Sequence, residues 1–221
     1  AVLSDRVAAD AGGLAAVYPA GGGAEDEATV LSQGEAYVPT LLAVGAVHHA
    51  LIRANARLRC SIVAETAQAW STHHFATLLT YGCNAVRPYM AHEATRLWRE
   101  NPKVQALIES GKQADVTVEG ALNNYKVGVE KGIKKILAKI GISCLSSYTG
   151  AQVMEAIGIH GELIDEAFVG TPSRIGGMKL EDVELEMAAF IAKVEKVKVD
   201  DDPTAPAPKL ENYGLVKPMP R

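Results

Sequence analysis

The chain has 221 residues, 48% of them hydrophobic and 22% charged, with a formal net charge of −4 and a pI near 5.9. That length supports one medium domain with a real core. The weak acidic balance and an aromatic content of only 5% leave no basic stripe and no stacking platform for nucleic acid.

Cys60, Cys83 and Cys144 are odd in number, far apart and form no CxxC pair. This spacing argues against a disulfide framework or a structural zinc site and fits an intracellular, reducing compartment. No apolar run reaches the length of a membrane span. The opening residues, Ala1-Val2-Leu3-Ser4-Asp5-Arg6, have neither the basic n-region nor the apolar h-region of a signal peptide. They read as the end of a strand opened by a cut, so the chain is expected to be a piece of something larger.

From about residue 12 to residue 35 the sequence is rich in Gly, Ala and acidic side chains, and reads as a flexible surface loop or insertion. Pro39 then opens a helix whose stripe runs through Leu41, Val44, His48 and Leu51, with Leu42, Gly45, His49 and Ile52 beside it. Cys60 to Ala64 has strand length and composition. A helix follows from Thr72 to Thr80 and ends at Tyr81-Gly82. Asn84 to Tyr89 is a second strand-like run. His92 to Ser110 reads as helical, broken near Asn101-Pro102. A polar turn leads to a long amphipathic helix from Val118 to Ile140, stopped by Gly141.

Beyond it, Ser143 to Ser147 is read as a strand and Gly150 to Ile157 as a short helix stopped by Gly158. Glu162 to Val169 and Leu180 to Val194 are read as further helices. Asp200-Asp201-Asp202 with Pro203, Pro206 and Pro208 marks an extended linker. Short strands alternating with helices indicate an α/β fold of βα repeats with a short parallel sheet. About four strands are too few to close a barrel of eight, which again suggests a partial domain.

Histidine is the most conspicuous candidate chemistry. His48, His49, His73, His74 and His92 lie in the first half, with Glu65 and Glu93 nearby. Adjacent residues on a helix point about 100° apart, so neither pair shares one ion easily, and no His-x3-His pair sets two imidazoles on one face. Packed, hydrogen-bonded histidines are therefore favoured over a metal site. Gly170-Thr171-Pro172-Ser173-Arg174, followed by Gly176-Gly177, could cradle an oxyanion. Pro172, however, removes a backbone donor, so a turn between two helices is favoured, with Thr171 or Ser173 as a cap and Arg174 paired to a carboxylate. Lys131, Lys135 and Lys139 fall in one row beside Lys134, most simply a solvated face. Cys144 reads as a small core residue, unless a base stands beside it.

Several strings, taken in order, resemble one family. They are Leu3-Ser4-Asp5-Arg6, Val38-Pro39-Thr40-Leu41-Leu42-Ala43-Val44-Gly45-Ala46-Val47-His48-His49, His73-His74-Phe75-Ala76, Asn84-Ala85-Val86-Arg87-Pro88-Tyr89, Asn124-Tyr125-Lys126, Lys139-Ile140-Gly141-Ile142-Ser143 and Gly150-Ala151-Gln152. Gly170-Thr171-Pro172-Ser173-Arg174 closes the set. Together they look like the second half of the central domain of glutamate synthase.

The resemblance implies a partial TIM-barrel-like central domain over residues 1–195. It implies a linker over 196–221, with Leu210-Glu211-Asn212-Tyr213-Gly214 resembling the join to an FMN-binding domain. The family makes glutamate from glutamine and 2-oxoglutarate. An amidotransferase domain with a terminal cysteine nucleophile releases ammonia, and a tunnel leads it to an FMN barrel with an iron–sulfur cluster. On this pattern the segment is non-catalytic. It holds no catalytic, cofactor-binding or metal residue of its own, the FMN and iron–sulfur cluster belong to the parent enzyme, and the partners are its amidotransferase and FMN-binding domains. The implied location is the cytoplasm or plastid stroma. Ala50 stands where the family often has a third His, and Thr149 where an Arg commonly follows the Tyr. The alternatives are an independent βα enzyme with a His-based metal site or phosphate-binding turn, and a stand-alone binding module.

Overall fold

The computed structural model describes residues 2–5 and 38–195, with side chains to residue 189. The insertion expected at about residues 12–35 and the linker expected at 196–221 lie outside the described residues.

Three very short strands, β1 (Val2–Ser4), β2 (Val63–Glu65) and β3 (Ala85–Arg87), each precede a helix. They pair in parallel in the order β1-β2-β3, with Leu3 opposite Ala64 and Ala64 opposite Val86. Parallel strands must be covered on both faces, and the central positions show it: Leu3 is 1% and Ala64 0% exposed. α1 (Thr40–Arg53), α2 (Thr72–Thr80) and α3 (Tyr89–Glu100) supply the covering layers. Leu3, Val44, Ile62, Ala64, Phe75 and Leu78 share the main apolar cluster. Full burial of one such large side chain stabilises by about 1.5–3 kcal/mol.

Pro39 sits at the cap of α1 and not in its first turn, and its carbonyl accepts the Ala43 N–H at 3.0 Å. The buried side of α1 runs through Ala43, Val44 and Gly45. Gly45 is required there, because a Cβ would overlap the Ala167 carbonyl oxygen where α1 crosses a later helix. α2 starts at a capping box in which Ser71 and His74 satisfy each other's backbone N–H. The break expected at Asn101-Pro102 separates α3 from α4 (Pro102–Glu109), and Asn101 accepts from Lys103 N–H. α5 (Val118–Ile140) has the predicted bounds, with Thr117 capping its start and Gly141 at φ +75° ending it. It lies across α2 and α3, and its Tyr125, Val129 and Ile133 seal the main cluster.

The last third departs from the sequence reading. Ser143 to Ser147 is no strand: Cys144 precedes a short helix, α6 (Leu145–Tyr148), because Tyr148 turns inward, 0% exposed, against Ala76, Leu79 and Ile142. Gly150 to Ile157 is no helix. Positive φ at Gly150 and Gln152 breaks the turn, and the chain enters β4 (Ala156–Ile159). After α7 (Gly161–Ala167), the Gly170 to Gly177 stretch is not merely a turn between helices, since from Ser173 it runs in β5 (Ser173–Met178). β5 pairs in parallel with β4, and α8 (Leu180–Glu195) follows. Here pairing between distant segments overrides local propensity. The described residues thus form a mixed α/β fold with two short parallel sheets of three and two strands.

Candidate functional site

In βα proteins, ligands gather where strands end and loops begin. At that edge of the first sheet stand Ser4 and Asp5, Glu65 and Thr66, and Arg87. The Asp5 carboxylate accepts from Thr66 Oγ1 at 2.5 Å, Thr40 Oγ1 at 3.1 Å and the Ala67 amide at 3.0 Å. Thr40 begins α1, so Asp5 ties β1, β2 and α1 together. A carboxylate filled this way is a structural anchor. Beside it, Ser4 Oγ donates to Glu65 Oε2 at 2.9 Å, and Arg87 Nη1 lies 3.3 Å from Glu65 Oε1.

The opposite end of the sheet is closed by one guanidinium. Arg57 donates from Nε to His48 Nδ1 at 2.8 Å and from Nη1 to the Cys60 carbonyl at 2.6 Å. Its Nη2 reaches the Gly82 carbonyl at 2.7 Å and Asn84 Oδ1 at 3.0 Å. Asn84 Oδ1 also accepts the Ile62 N–H at 2.9 Å. Burial, then the Arg57 charge, then His49, push the His48 pKa down to about 4, which keeps the ring neutral and able to accept. Gly82, at φ +115°, packs so closely on His48 that a Cβ would overlap the imidazole.

The remaining histidines are dispersed. His49 meets His48 edge-on with ring centres 5.1 Å apart, and burial lowers its pKa. His74 Nδ1 accepts the Trp70 and Ser71 N–H groups, while His73 on the same helix is exposed. His92 stacks edge-on against Tyr125, with its pKa lowered first by burial and then by Arg87. Among the described residues, no three His, Cys, Asp or Glu side chains come together as a metal site would require. Thr171 hydrogen-bonds with the Tyr81 hydroxyl at 2.8 Å, Ser173 Oγ donates to the Ile159 carbonyl at 3.2 Å, and Arg174 lies 3.7 Å from Glu155. The groups proposed to grip a phosphate therefore serve the local fold. All four lysines of the α5 row are exposed. Cys144 is exposed rather than core, and a hydrogen bond with Ser146 lowers its pKa.

A groove of about 600 Å³ runs between β3, the last strand of the sheet among the described residues, and helices α2, α3 and α5, lined by Phe75, Leu79, Val86, His92, Tyr125 and Val129. Arg57 and Thr66 were invisible as partners in the sequence. The one available signal was position: Asp5 and Thr66 each follow directly on a strand.

The fold defines a βα protein with parallel strands in sequential order, whose most conspicuous polar residues tie elements to one another. Comparison with known proteins narrows that class. Residues 25–160 match the family model described as glutamate synthase central domain. The ferredoxin-dependent glutamate synthase 2 of Synechocystis is 47% identical over 193 residues, covering 86% of this chain and 12% of that protein. The ferredoxin-dependent glutamate synthase of Pyropia yezoensis is 44% identical over 196 residues (88% and 12%), and the chloroplastic enzyme of Oryza sativa is 43% identical over 195 residues (88% and 12%). The chain belongs to the glutamate synthase central domain family. It spans about 12% of the length of these curated relatives.

Proposed function

We propose that this chain is the domain-coupling part of a glutamate synthase, which makes glutamate from glutamine and 2-oxoglutarate, and that it performs no chemistry itself. Residues 1–195 are the C-terminal portion of the central domain, and 196–221 are a linker toward an FMN-binding domain. The β1-β2-β3 sheet is part of a TIM-barrel-like domain, a reading supported by its sequential parallel order. The FMN and iron–sulfur cluster reside in other domains, and ferredoxin, on which the relatives depend by name, is the electron donor. The relatives described as chloroplastic support a plastid stroma or cytoplasmic location.

The observation that carries this reading is the central-domain match over residues 25–160 in a chain that is about 12% of its relatives' length. The use made of its polar side chains adds support. His48, His74, Thr171, Ser173 and Asp5 all spend their hydrogen bonds on the chain's own elements. Such bonding makes a rigid spacer, which is what protected transfer of ammonia between two active sites demands. Against the metal-site alternative, no three His, Cys, Asp or Glu side chains among the described residues come together.

The test is direct. The purified chain is assayed for glutamine hydrolysis, for 2-oxoglutarate consumption in the presence of ammonia and reductant, and for bound flavin absorbance. No turnover and no flavin are expected. Glutaminase turnover or a retained flavin would contradict the proposal.

A further inference from the structure

A seam runs where α1 and α2 meet the last third of the chain, and it is closely tied. Gly45 of α1 lies against the Ala167 carbonyl, and Arg53 pairs with Glu166 at 2.8 Å. The Tyr81 ring stacks edge-on against Phe168, with centres 4.9 Å apart. The Gly150 N–H donates to the Thr80 carbonyl at 2.9 Å, and Tyr81 shares its hydroxyl bond with Thr171. Within this seam is a small cavity of about 30 Å³, lined chiefly by His48, His49, Thr80, Tyr81, Gln152 and Thr171.

Two of these residues have polar groups to spare. Thr80 is 3% exposed, and its hydroxyl meets no hydrogen-bond partner among the described residues. Buried polar groups are nearly always paired, so this one calls for a partner. His48 supplies the second group. Its Nδ1 accepts from Arg57, so the proton of the neutral ring sits on Nε2, and no described residue accepts it. Gln152 beside them holds a φ of +55°, uncommon for a residue with a side chain, and its amide lies over Gly170. Strain of this kind gathers where a ligand is held.

Size and chemistry point to one occupant. Cavities that stay empty are apolar, whereas a polar one of this volume admits one water, two at most. No carboxylate and no lysine or arginine lines it, and burial keeps both imidazoles neutral at neutral pH. An ion would thus be buried without a counter-charge, whereas a water both donates and accepts. We propose that the seam cavity is a hydration site, in which one ordered water accepts from His48 Nε2–H and bonds the Thr80 hydroxyl, tying α1 to α2 beside the Gly150 and Thr171 loops. This inference is independent of the domain-coupling reading.

A high-resolution crystal structure of the full-length polypeptide, grown with bromide in place of chloride, reads the site. One ordered peak without anomalous signal is expected, within about 2.7–3.2 Å of both His48 Nε2 and Thr80 Oγ1. An empty cavity overturns the proposal, and so does an anomalous peak, which makes the occupant an anion. Thr80→Val keeps the side-chain shape and removes the hydroxyl. With a bridging water lost, hydrogen exchange at the Gly150 amide quickens by about tenfold while the α5 amides keep their rate, and Thr80→Ser retains the wild-type rate. If the hydroxyl were dry, Val would leave that exchange unchanged or slower, and this result overturns the bridging role. Should Thr80→Val unfold, the wild-type peak alone decides.

Discussion

Replacing Arg57 by Met isolates the clamp that closes one end of the sheet. Met keeps much of the stem and removes the charge. The wild-type guanidinium makes four hydrogen bonds of 2.6–3.0 Å, to His48, Cys60, Gly82 and Asn84. A buried hydrogen bond from a charged donor contributes about 1.5–3 kcal/mol, but this site is half-exposed and water replaces part of each bond. A net loss of roughly 2–3 kcal/mol is expected for the set, equivalent to about 5–10 °C in melting temperature for a chain of this size. The pH dependence gives a second, independent readout. The folded His48 pKa, about 4, lies below the ordinary histidine value of 6.5, so the folded state binds fewer protons. Its contribution is fully present above about pH 6.5 and is lost as pH falls toward 4. With the ring half-exposed, solvent screening holds that loss to about 1–2 kcal/mol. Without Arg57, one of the causes depressing His48 is gone, and the acid limb becomes shallower. Urea titrations followed by circular dichroism from pH 4 to pH 8, on wild type and Arg57→Met, measure both. A cost under about 0.5 kcal/mol with an unchanged acid limb would refute the reasoning.

Further outcomes follow from other sites. Gly82→Ala costs at least about 2 kcal/mol, from the positive φ and the overlap with His48, whereas Gly128→Ala, in open space within α5, stabilises by about 0.5–1 kcal/mol; paired thermal melts decide. Asp5→Ala costs about 2–3 kcal/mol by leaving Thr66, Thr40 and the Ala67 amide without their shared acceptor, and pulse proteolysis reports it. Cys144, exposed and with its pKa lowered by Ser146, reacts first with a thiol reagent; Cys83, buried and pushed up to about 11, reacts only on unfolding. Tyr148→Phe is neutral or stabilising by up to about 1 kcal/mol, because the buried hydroxyl has no hydrogen-bond partner among the described residues.

The first two thirds of the fold were legible because local signals and tertiary structure agree there. Thr72–Thr80 and Val118–Ile140 carry a periodic apolar face between clear caps, and the helices have those bounds. From Cys144 onward the signals conflict. Ser-Cys-Leu-Ser-Ser has strand-like composition, yet the buried Tyr148 draws it into a helical turn. Ala156–Ile159 overlaps the end of the run read as a helix, Gly150 to Ile157, but pairs with Ser173–Met178, a partner no local pattern announces. His48 and His74 accept hydrogen bonds within the chain, and His73 beside His74 is exposed. What holds His48, however, is an arginine nine positions on, joined to it by a turn whose shape the sequence does not display. Asp5 was visible only as a member of a familiar string, since its partners lie 35 and 61 positions away.

The central claim is that this segment couples two chemistries rather than performing one. The most direct measurement is the ratio of glutamate formed from 2-oxoglutarate to glutamine hydrolysed, in the full-length polypeptide and in its Arg57→Met form, which lacks the clamp at one end of the sheet. The account predicts a ratio near one in the wild type, and free ammonia appearing in solution in the variant. An unchanged ratio, in a variant shown to be loosened but still folded, would contradict it.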